Sequence, residues 1–498
     1  MKDILRHGND SMTNLKRDSL GIETAAEAIA ERAERGVVAY RDFVRNHGSS
    51  PSGPFNKRPI MDKPSYLATY GFHELLGDDF DQTFTIFKSS GSSGHSFYWP
   101  QLKETNRATG EFLRAYLERS FAIHHKRTLA IVGLALGSWI GGEHFSWALK
   151  SVALTAPYPF SIFSPGSCHD EIIEMIRRSS RFVDQIVLVV CPSAIGHILL
   201  RAEQSQRPLP LDKMRYLVLG EPFPESLRTS LQHRAGLAPT ESPMFSVFGS
   251  ADTGTLGVES AASVALRKLI EASPELADSL ALPTGSAPHF FHCCAQDAYL
   301  ESVKGELLVT RWQGIPLVRY NLHDSACFYN WAAVRQAVLK TKQWDADGEA
   351  LRAVIDHAGP DLPDLLAIAG RADACLILCG TNLSESMLDA AVRCEALNAF
   401  LTGIYKARIL HEDDRQYLAL DLELCSGVAA DPSTTDLLYK QLVEALGREQ
   451  PEFLDDWRNV YSTWDSDSQR RILRLNCVAW PALSEDIEKQ IKQRGTRA

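Results

Sequence analysis

No stretch of this sequence stays apolar long enough to cross a bilayer. The best run, from Thr128 to Gly142, is broken by glycines and a serine before Glu143 ends it, short of the roughly 20 residues a spanning helix needs. The opening residues, MKDILRHGND, mix charges and lack an apolar signal region. No membrane association and a cytoplasmic address are therefore expected. A basic excess is missing too. Acidic residues outnumber basic ones, 62 to 52, for a formal charge of -10, so the electrostatic footprint of a duplex binder is absent and no nucleic-acid partner is expected. The 10 cysteines include no C-x-x-C pair, which argues against a disulfide framework and for a reducing compartment. The P-loop signature ending in GK[ST] is absent. There is no internal repeat and no low-complexity tract.

What is present is an ordinary globular composition, 45% hydrophobic and 23% charged over 498 residues, which is too long for one core and implies two or more domains. The alanine-rich stretch Thr24 to Phe43 reads as a helix, with Ile29, Ala33, Val37 and Tyr40 on one side. Glu104 to His124 reads as another, with Phe112, Tyr116, Leu117 and Phe121 at helical spacing. Short apolar runs follow, starting at Thr128, Gln185, Arg215 and Met244, separated by helical patterns such as Asp170 to Arg178 and Pro224 to Arg234. This alternation predicts an α/β architecture, with β-sheets covered by helices on both faces. Ligands gather at the carboxyl ends of such strands. Two further strands are expected from Gly305 and from Ile315, joined tightly at Gln313 and Gly314, and an inserted or peripheral helix from Lys340 to His357. After Gly370 the texture changes: a short strand ACLILCG, a helix capped by Ser384, a hairpin around HEDDRQ, a helix from Thr434 to Gly447, and a terminal helix from Ser484 to Gln493. The boundary is placed there, giving a large domain of several subdomains over 1–369 and a small α+β domain over 370–498.

Five segments carry candidate chemistry. FKSSGSSGHSF, Phe87 to Phe97, is a small-residue loop after a strand-like run, able to wrap phosphate oxygens with N–H and hydroxyl donors. YLVLGEPFPESLR, from Tyr216, is a strand-to-helix turn through Gly220, Glu221 and Pro222. VFGSADTG, from Val247, sets an aromatic face, Phe248, beside Gly249 and the metal-capable carboxylate of Asp252. GELLVTRWQGIPLVRYNLHD, from Gly305, ends on Asp324, a carboxylate able to accept from a ribose diol, with Arg319 and Tyr320 as supports or Arg319 as a mere surface partner. GRADACLILCGTN, from Gly370, suits a hinge with a cation beside it. The run HFFHCC, with His289, His292, Cys293 and Cys294, matches no zinc spacing and reads as a buried strand.

In order, these segments resemble those of the acyl-adenylate-forming (AMP-binding) superfamily, and within it the phenylacetate–CoA ligases. SSGSSG is similar to the family's SSGTTG phosphate loop, PLVRYNLHD to its PLIRYRTxD, and GRADACLILCGTN to its GRxDDMLIxxGxN; IMDKPSYLATY and the glycines after Trp139 are also similar. The likeness spans Ile60 to Asn382. It implies that Ser89, Ser90, Gly91, Ser92, Ser93 and Gly94 hold the ATP phosphates. Gly220, Glu221 and Pro222 would lie along adenine, with Phe248 and its neighbour Gly249 against its face. Asp252 would bind Mg2+, Asp324 would hold the ribose hydroxyls with Arg371 close by, and Asp373 would be the hinge of a mobile C-terminal domain. The implied enzyme is an AMP-forming acid–thiol ligase. It uses ATP and magnesium to activate a carboxylic acid, aryl or similarly apolar, and passes the acyl group to coenzyme A. The acceptor could instead be a phosphopantetheine thiol on an acyl carrier protein, an amine or a protein thiol, and a degenerate non-catalytic member is the remaining alternative. Trp139, Ile140 and Phe145 are candidates for an acyl pocket.

Three features depart from the family pattern. No lysine follows the phosphate loop, Asp252 stands where glutamate is usual, and the C-terminal Gly-Lys context is missing. The catalytic cation is thus unassigned. QRRILRL, from Gln469, is the nearest basic strand, and Lys489 and Lys492 lie beyond it.

Overall fold

The computed structural model describes residues 15–47, 54–89, 97–205, 208–282, 287–294, 297–341, 344–371 and 375–484. Strands Phe160–Phe163, Thr128–Val132, Gln185–Val190, Met214–Val218 and Met244–Ser250 lie side by side in that order, all parallel. Every residue of Thr128–Val132 and Gln185–Val190 is buried, as a parallel sheet covered on both faces requires. Strand alternation sorts them. Ala130, Val132, Val187 and Val189 pack with Leu113, Leu117, Phe145 and Leu149 of helices Lys103–Phe121 and Ile140–Thr155. Leu129, Ile131, Ile186 and Leu188 pack on the other face with Ile172, Ile176, Ile195 and Ile198 of helices His169–Ser179 and Pro192–Gln204.

From Met244–Ser250 the same 13-stranded sheet continues antiparallel through Gly254–Val258, His289–Cys293, Leu365–Arg371, Ile315–Tyr329, Glu306–Gln313 and Ala298–Val303. One face is covered by the N-terminal helices and the other by Ala261–Ala272, Trp331–Lys340 and Ala346–His357. Two local expectations change. The first helical stretch is two helices, Glu23–Gly36 and Val38–Asn46, divided at Val37, whose backbone is extended at φ -111° and ψ 118°. Gly36 followed by two β-branched valines is a poor helical sequence, so the chain breaks there. The charged stretch before His357 is helical only from Ala346, since Lys340 ends the preceding helix Trp331–Lys340: Asp345 caps Ala346–His357, accepting from Gly348 N–H at 2.7 Å, and Leu351 and Ile355 are buried.

Residues 375–484 build a separate core around Leu420, Leu422, Leu438 and Leu442. Hairpin Leu401–Glu412 and Arg415–Leu424 turns at Asp413 and Asp414, both at positive φ (49° and 59°), a conformation aspartate tolerates better than most residues. Strand Leu473–Val478 adds parallel to Arg415–Leu424. Ser384 caps helix Glu385–Val392, accepting from Met387 N–H at 3.3 Å. Beyond Ser484, the expected terminal helix lies outside the described residues, with Lys489 and Lys492. Among the described residues no helix is long and apolar enough to cross a membrane.

Candidate active site

The Ser/Gly loop springs from a two-stranded hairpin, Thr83–Lys88 with Tyr98–Leu102. Its root is closed by Ser89, whose N–H donates to the Phe97 carbonyl at 2.9 Å while its buried hydroxyl accepts from Phe97 N–H at 3.2 Å. Lys88 N–H donates to the Ser138 carbonyl at 2.8 Å, and its ammonium stands 4.0 Å from the centre of the Trp139 ring. The rest of the predicted phosphate loop, Ser90, Gly91, Ser92, Ser93 and Gly94, lies outside the described residues, as does Asp373. Of the acyl-pocket candidates, Phe145 is committed to the core between sheet and helix, Ile140 is buried at the edge of the neighbouring core, and Trp139 is half-buried.

The turn Gly220-Glu221-Pro222 follows strand Met214–Val218. Val218 pairs in parallel with Ser246, so Gly220 and Phe248 each follow that pair by two residues on their own segments. Gly220 has φ 93°, which a side chain would resist. Phe248 packs against the core that holds Phe87, Ile140 and Tyr320, with its ring 5.4 Å from that of Phe291. Gly249 is required by the hairpin, since a Cβ there would collide with the Gly254 carbonyl. Glu221 is buried. Its Oε1 accepts from Ser193 N–H at 2.6 Å, Oε2 has no hydrogen-bond partner, and burial pushes its carboxyl up to about 7.

Behind this turn lies a buried ionic network. Arg228, fully buried, donates to Glu225 at 3.0 and 3.1 Å, to Glu259 at 2.9 and 3.0 Å and to the Met244 carbonyl at 2.6 Å. Arg267 also donates to Glu225, at 2.8 Å. Burial alone would raise Glu259, but Arg228 and His289 hold its carboxyl at about 2. The network ties the helix after the turn to the strand carrying Phe248. His289 and His292 are spent here: His289 faces the Phe223 carbonyl, Arg267 and Glu259, and His292 sits between the Pro363 carbonyl and Ser260. The run HFFHCC forms strand His289–Cys293, buried from His289 to His292, as its sequence reading expects.

Asp252 is 6% exposed. Its Oδ2 accepts from the Tyr320 hydroxyl at 2.7 Å and lies 3.2 Å from the Lys63 ammonium. Its Oδ1 is buried without a hydrogen-bond partner. Burial, and then the Asp252 carboxylate, push the Tyr320 phenol well above the ordinary tyrosine range, so it remains a donor. Lys63 is the functional candidate the sequence reading left without a role. It sits in IMDKPSYLATY, where Asp62 caps a short helical turn by accepting from Ser65 N–H at 2.8 Å. The sequence signal is a lysine within a segment that resembles the family's, and only folding brings it to Asp252.

Asp324 and Arg371 are partners across antiparallel strands Ile315–Tyr329 and Leu365–Arg371. Arg371 is close enough to Tyr320 to lower that phenol's pKa, opposing the burial. Asp252, Tyr320, Asp324 and Arg371 therefore belong to one neighbourhood. Arg319 does not join it. Its side chain is buried with Glu301 at 3.1 Å and the carbonyls of Asn56 and Arg58, so it neither supports Asp324 nor forms a surface pair with it. The arginines of QRRILRL are engaged elsewhere: Arg470 with Asp467, Arg471 with Asp436, and Arg474 with Glu412.

The small lobe reaches this region through its 375–384 hairpin. Gly380 comes so near the Gly220 turn that a Cβ on it would stand 2.7 Å from Cys191 Sγ.

No protein-family model and no curated protein matches the chain in sequence. Solved structures match in fold. A 2-hydroxyisobutyryl-CoA ligase, in complex with 2-HIB-AMP and CoA in the thioesterification state, superposes with a TM-score of 0.59 at 13% identity, over 94% of this chain and 91% of that one. An acyl acid amido synthetase in complex with 2,4-DB matches with a TM-score of 0.44 at 12% identity, over 95% and 89%. A malonyl-CoA ligase with methylmalonyl-CoA and AMP bound matches with a TM-score of 0.43 at 10% identity, over 80% and 72%. The chain shares the fold of that 2-hydroxyisobutyryl-CoA ligase.

Proposed function

We propose that this protein is an AMP-forming acid–thiol ligase with its nucleotide site at the carboxyl ends of the parallel strands. The observation that carries the reading is the convergence of separately encoded groups. Strand Met214–Val218, which leads to the Gly220 turn, pairs with the strand carrying Phe248, Asp252 holds both Tyr320 and Lys63, and Asp324 pairs with Arg371 in the same sheet, which supports this reading. Adenine lies along Gly220, Glu221 and Pro222 against Phe248. The ribose diol donates to Asp324, with Arg371 beside it. The phosphates lie toward Lys63 and the Ser89–Gly94 loop.

The chemistry asked of these groups is electrostatic. A carboxylate attacks the α-phosphorus, the bond to the pyrophosphate oxygen breaks, and negative charge grows on phosphoryl oxygens. Lys63 supplies a cation already held in place by Asp252, and Tyr320 fixes that carboxylate. This assignment answers the missing C-terminal lysine. Mg2+ fits the donor set: Asp252 Oδ1 is an orphaned buried carboxylate oxygen, and magnesium is commonly held by one or two carboxylates plus substrate phosphates. The ion would neutralise phosphate charge there. In the second step a thiolate, most simply that of coenzyme A, attacks the acyl carbon and AMP leaves. The domain division at Gly370 and a hinge at Asp373 would let the small lobe turn between the two steps. An apolar or aryl acid, and a cytoplasmic setting, complete the proposal.

The decisive experiment is acid-dependent ATP–pyrophosphate exchange over a broad carboxylate library, with and without magnesium, followed by coenzyme A addition. Exchange stimulated by one acid class and discharge by coenzyme A support the reading. Absence of exchange across the library, despite tight ATP binding, would make the protein a non-catalytic nucleotide binder. Discharge by amines or carrier thiols alone would move the acceptor.

A further inference from the structure

Where the hairpin tip of the small lobe meets the large lobe there is a cavity of about 200 Å³, lined among others by Ser193, Ser226, Asp413, Asp414 and Arg415. It is smaller than the roughly 300–1,000 Å³ typical of whole small-molecule sites. Arg415 is only 5% exposed, and among the described residues no carboxylate lies within ion-pair distance of it. Its Nη1 is buried with no hydrogen-bond partner, and one face of the guanidinium looks onto the Tyr417 ring at 5.1 Å. A buried unpaired cation is costly, and guanidinium cannot shed its proton to escape the cost. The companions point the same way. Ser193, 3% exposed, stands in the first turn of the 13-residue helix Pro192–Gln204, with its hydroxyl beside the Glu221 carboxyl and the Cys379 thiol. Ser226 opens into the cavity from the first turn of the 10-residue helix Glu225–Arg234. The N-terminus of helix Glu225–Arg234 thus brings a positive dipole end to this space, while the first turn of Pro192–Gln204 already holds the Glu221 carboxylate through Ser193 N–H. Of the two acidic residues, Asp414 is engaged by the large lobe, accepting from the Ser230 hydroxyl at 2.8 Å, and Asp413 is exposed at the rim.

We infer that this cavity is an anion site for a phosphate group, bound by Arg415 from the small lobe and Ser193 from the large one, and that its occupant fastens the lobes together. A guanidinium nitrogen without a partner beside a small cavity seeks a compact anion, and phosphate offers the oxygens to take Nη1, the Ser193 hydroxyl and a helix N-terminus at once. The site does not depend on the adenylation reading. A free phosphate or pyrophosphate, or a phosphate of a larger molecule such as coenzyme A, would serve equally.

The test is calorimetric titration of the full-length protein with inorganic phosphate, pyrophosphate and coenzyme A, repeated on Arg415→Gln, Arg415→Lys and Ser193→Ala. Hydrogen exchange at residues 411–416 and at the start of helix Pro192–Gln204 then locates the binding. Loss of one charge-assisted bond weakens binding by about 10- to 100-fold. That loss is expected in Arg415→Gln, with partial retention in Arg415→Lys, a smaller loss in Ser193→Ala, and slowed exchange at both segments in the parent. Arg415-dependent binding of phosphate or pyrophosphate identifies a free anion, and dependence confined to coenzyme A identifies its phosphates. Unchanged affinity in both Arg415→Gln and Ser193→Ala, no slowing of exchange, or no binding of any of the three probes overturns the site. Nucleotide exchange activity is read separately, so failure here leaves the proposed reaction standing, and the reverse.

Discussion

Gly196 and Asp414 meet across the seam between the lobes, so closely that a Cβ added to Gly196 would collide with the Asp414 carbonyl. Gly196 lies inside helix Pro192–Gln204, where glycine is about 1 kcal/mol worse than alanine. The contact explains why a helix tolerates it. Gly196→Ala should stabilise the helix by up to that amount while preventing the lobes from seating as they do here. Small-angle scattering should show a more open particle. On the proposed mechanism, exchange with pyrophosphate should persist while thioester formation falls. An unaltered scattering profile and unaltered thioester rate would show that the contact is not limiting.

Asp252, Lys63 and Tyr320 form a second testable unit. Tyr320→Phe removes one hydrogen bond to a buried carboxylate, worth about 1.5–3 kcal/mol when a charged group is involved. Lys63→Met removes the only cation paired with Asp252 among the described residues. Acid-dependent exchange should fall roughly 10- to 100-fold in Tyr320→Phe and further in Lys63→Met. Asp252→Ala should shift the magnesium titration to higher concentration. Near-parental rates in Lys63→Met would remove it from the mechanism.

Asp324→Ala should weaken ATP use about 10- to 100-fold, since ribose hydroxyls lose a charged acceptor. The same variant should discriminate less between ATP and 2′-deoxy-ATP. Equal discrimination in parent and variant would show that the ribose is elsewhere.

Glu221 makes stability depend on pH. Its carboxyl is raised from an ordinary value of 4.5 to about 7 in the folded protein, mainly by burial. Raised in the folded state, it contributes stability that is fully present below about pH 4.5 and is lost as pH climbs toward 7, by about 3 kcal/mol between the limits. Glu221→Gln keeps the acceptor for Ser193 N–H and cannot ionise. Its melting temperature should exceed the parent's at pH 8 and converge with it near pH 4.5. A constant difference across that range would place the cause outside the carboxyl.

Arg228→Met leaves Glu225 with Arg267 alone and Glu259 without its main cation. Breaking a buried ion pair from one side costs about 3–5 kcal/mol, and thermal denaturation should show it. Glu259→Gln in the same background should recover part of the loss by removing the stranded charge.

Much of the fold is legible along the chain because it is periodic. Thr128–Val132 and Gln185–Val190 are uniformly apolar since both their faces are covered, and helix Lys103–Phe121 repeats its apolar residues at helical spacing. Ser384 is read correctly as a cap because capping is a contact within one turn. The burial of Ala346–His357 is set by what that segment packs against, whereas the break at Val37 follows from the poor helical run Gly36-Val37-Val38.

The candidate site divides the same way. Sequence alone determined the residue types at the candidate positions, the glycine turn at 220, the aromatic at 248 and the carboxylate at 252, but Asp324, expected to end a strand, lies inside Ile315–Tyr329, because that strand goes on pairing with Leu365–Arg371 as far as Tyr329. Local backbone geometry and strand alternation fix those. Only the tertiary structure decided who meets whom. Lys63 reaches Asp252 across 189 positions of chain, Arg319 turns inward to Glu301 instead of toward Asp324, and Arg415 closes on Ser193 from another lobe. Such encounters depend on strand order and lobe docking, which are long-range packing outcomes that no local pattern encodes.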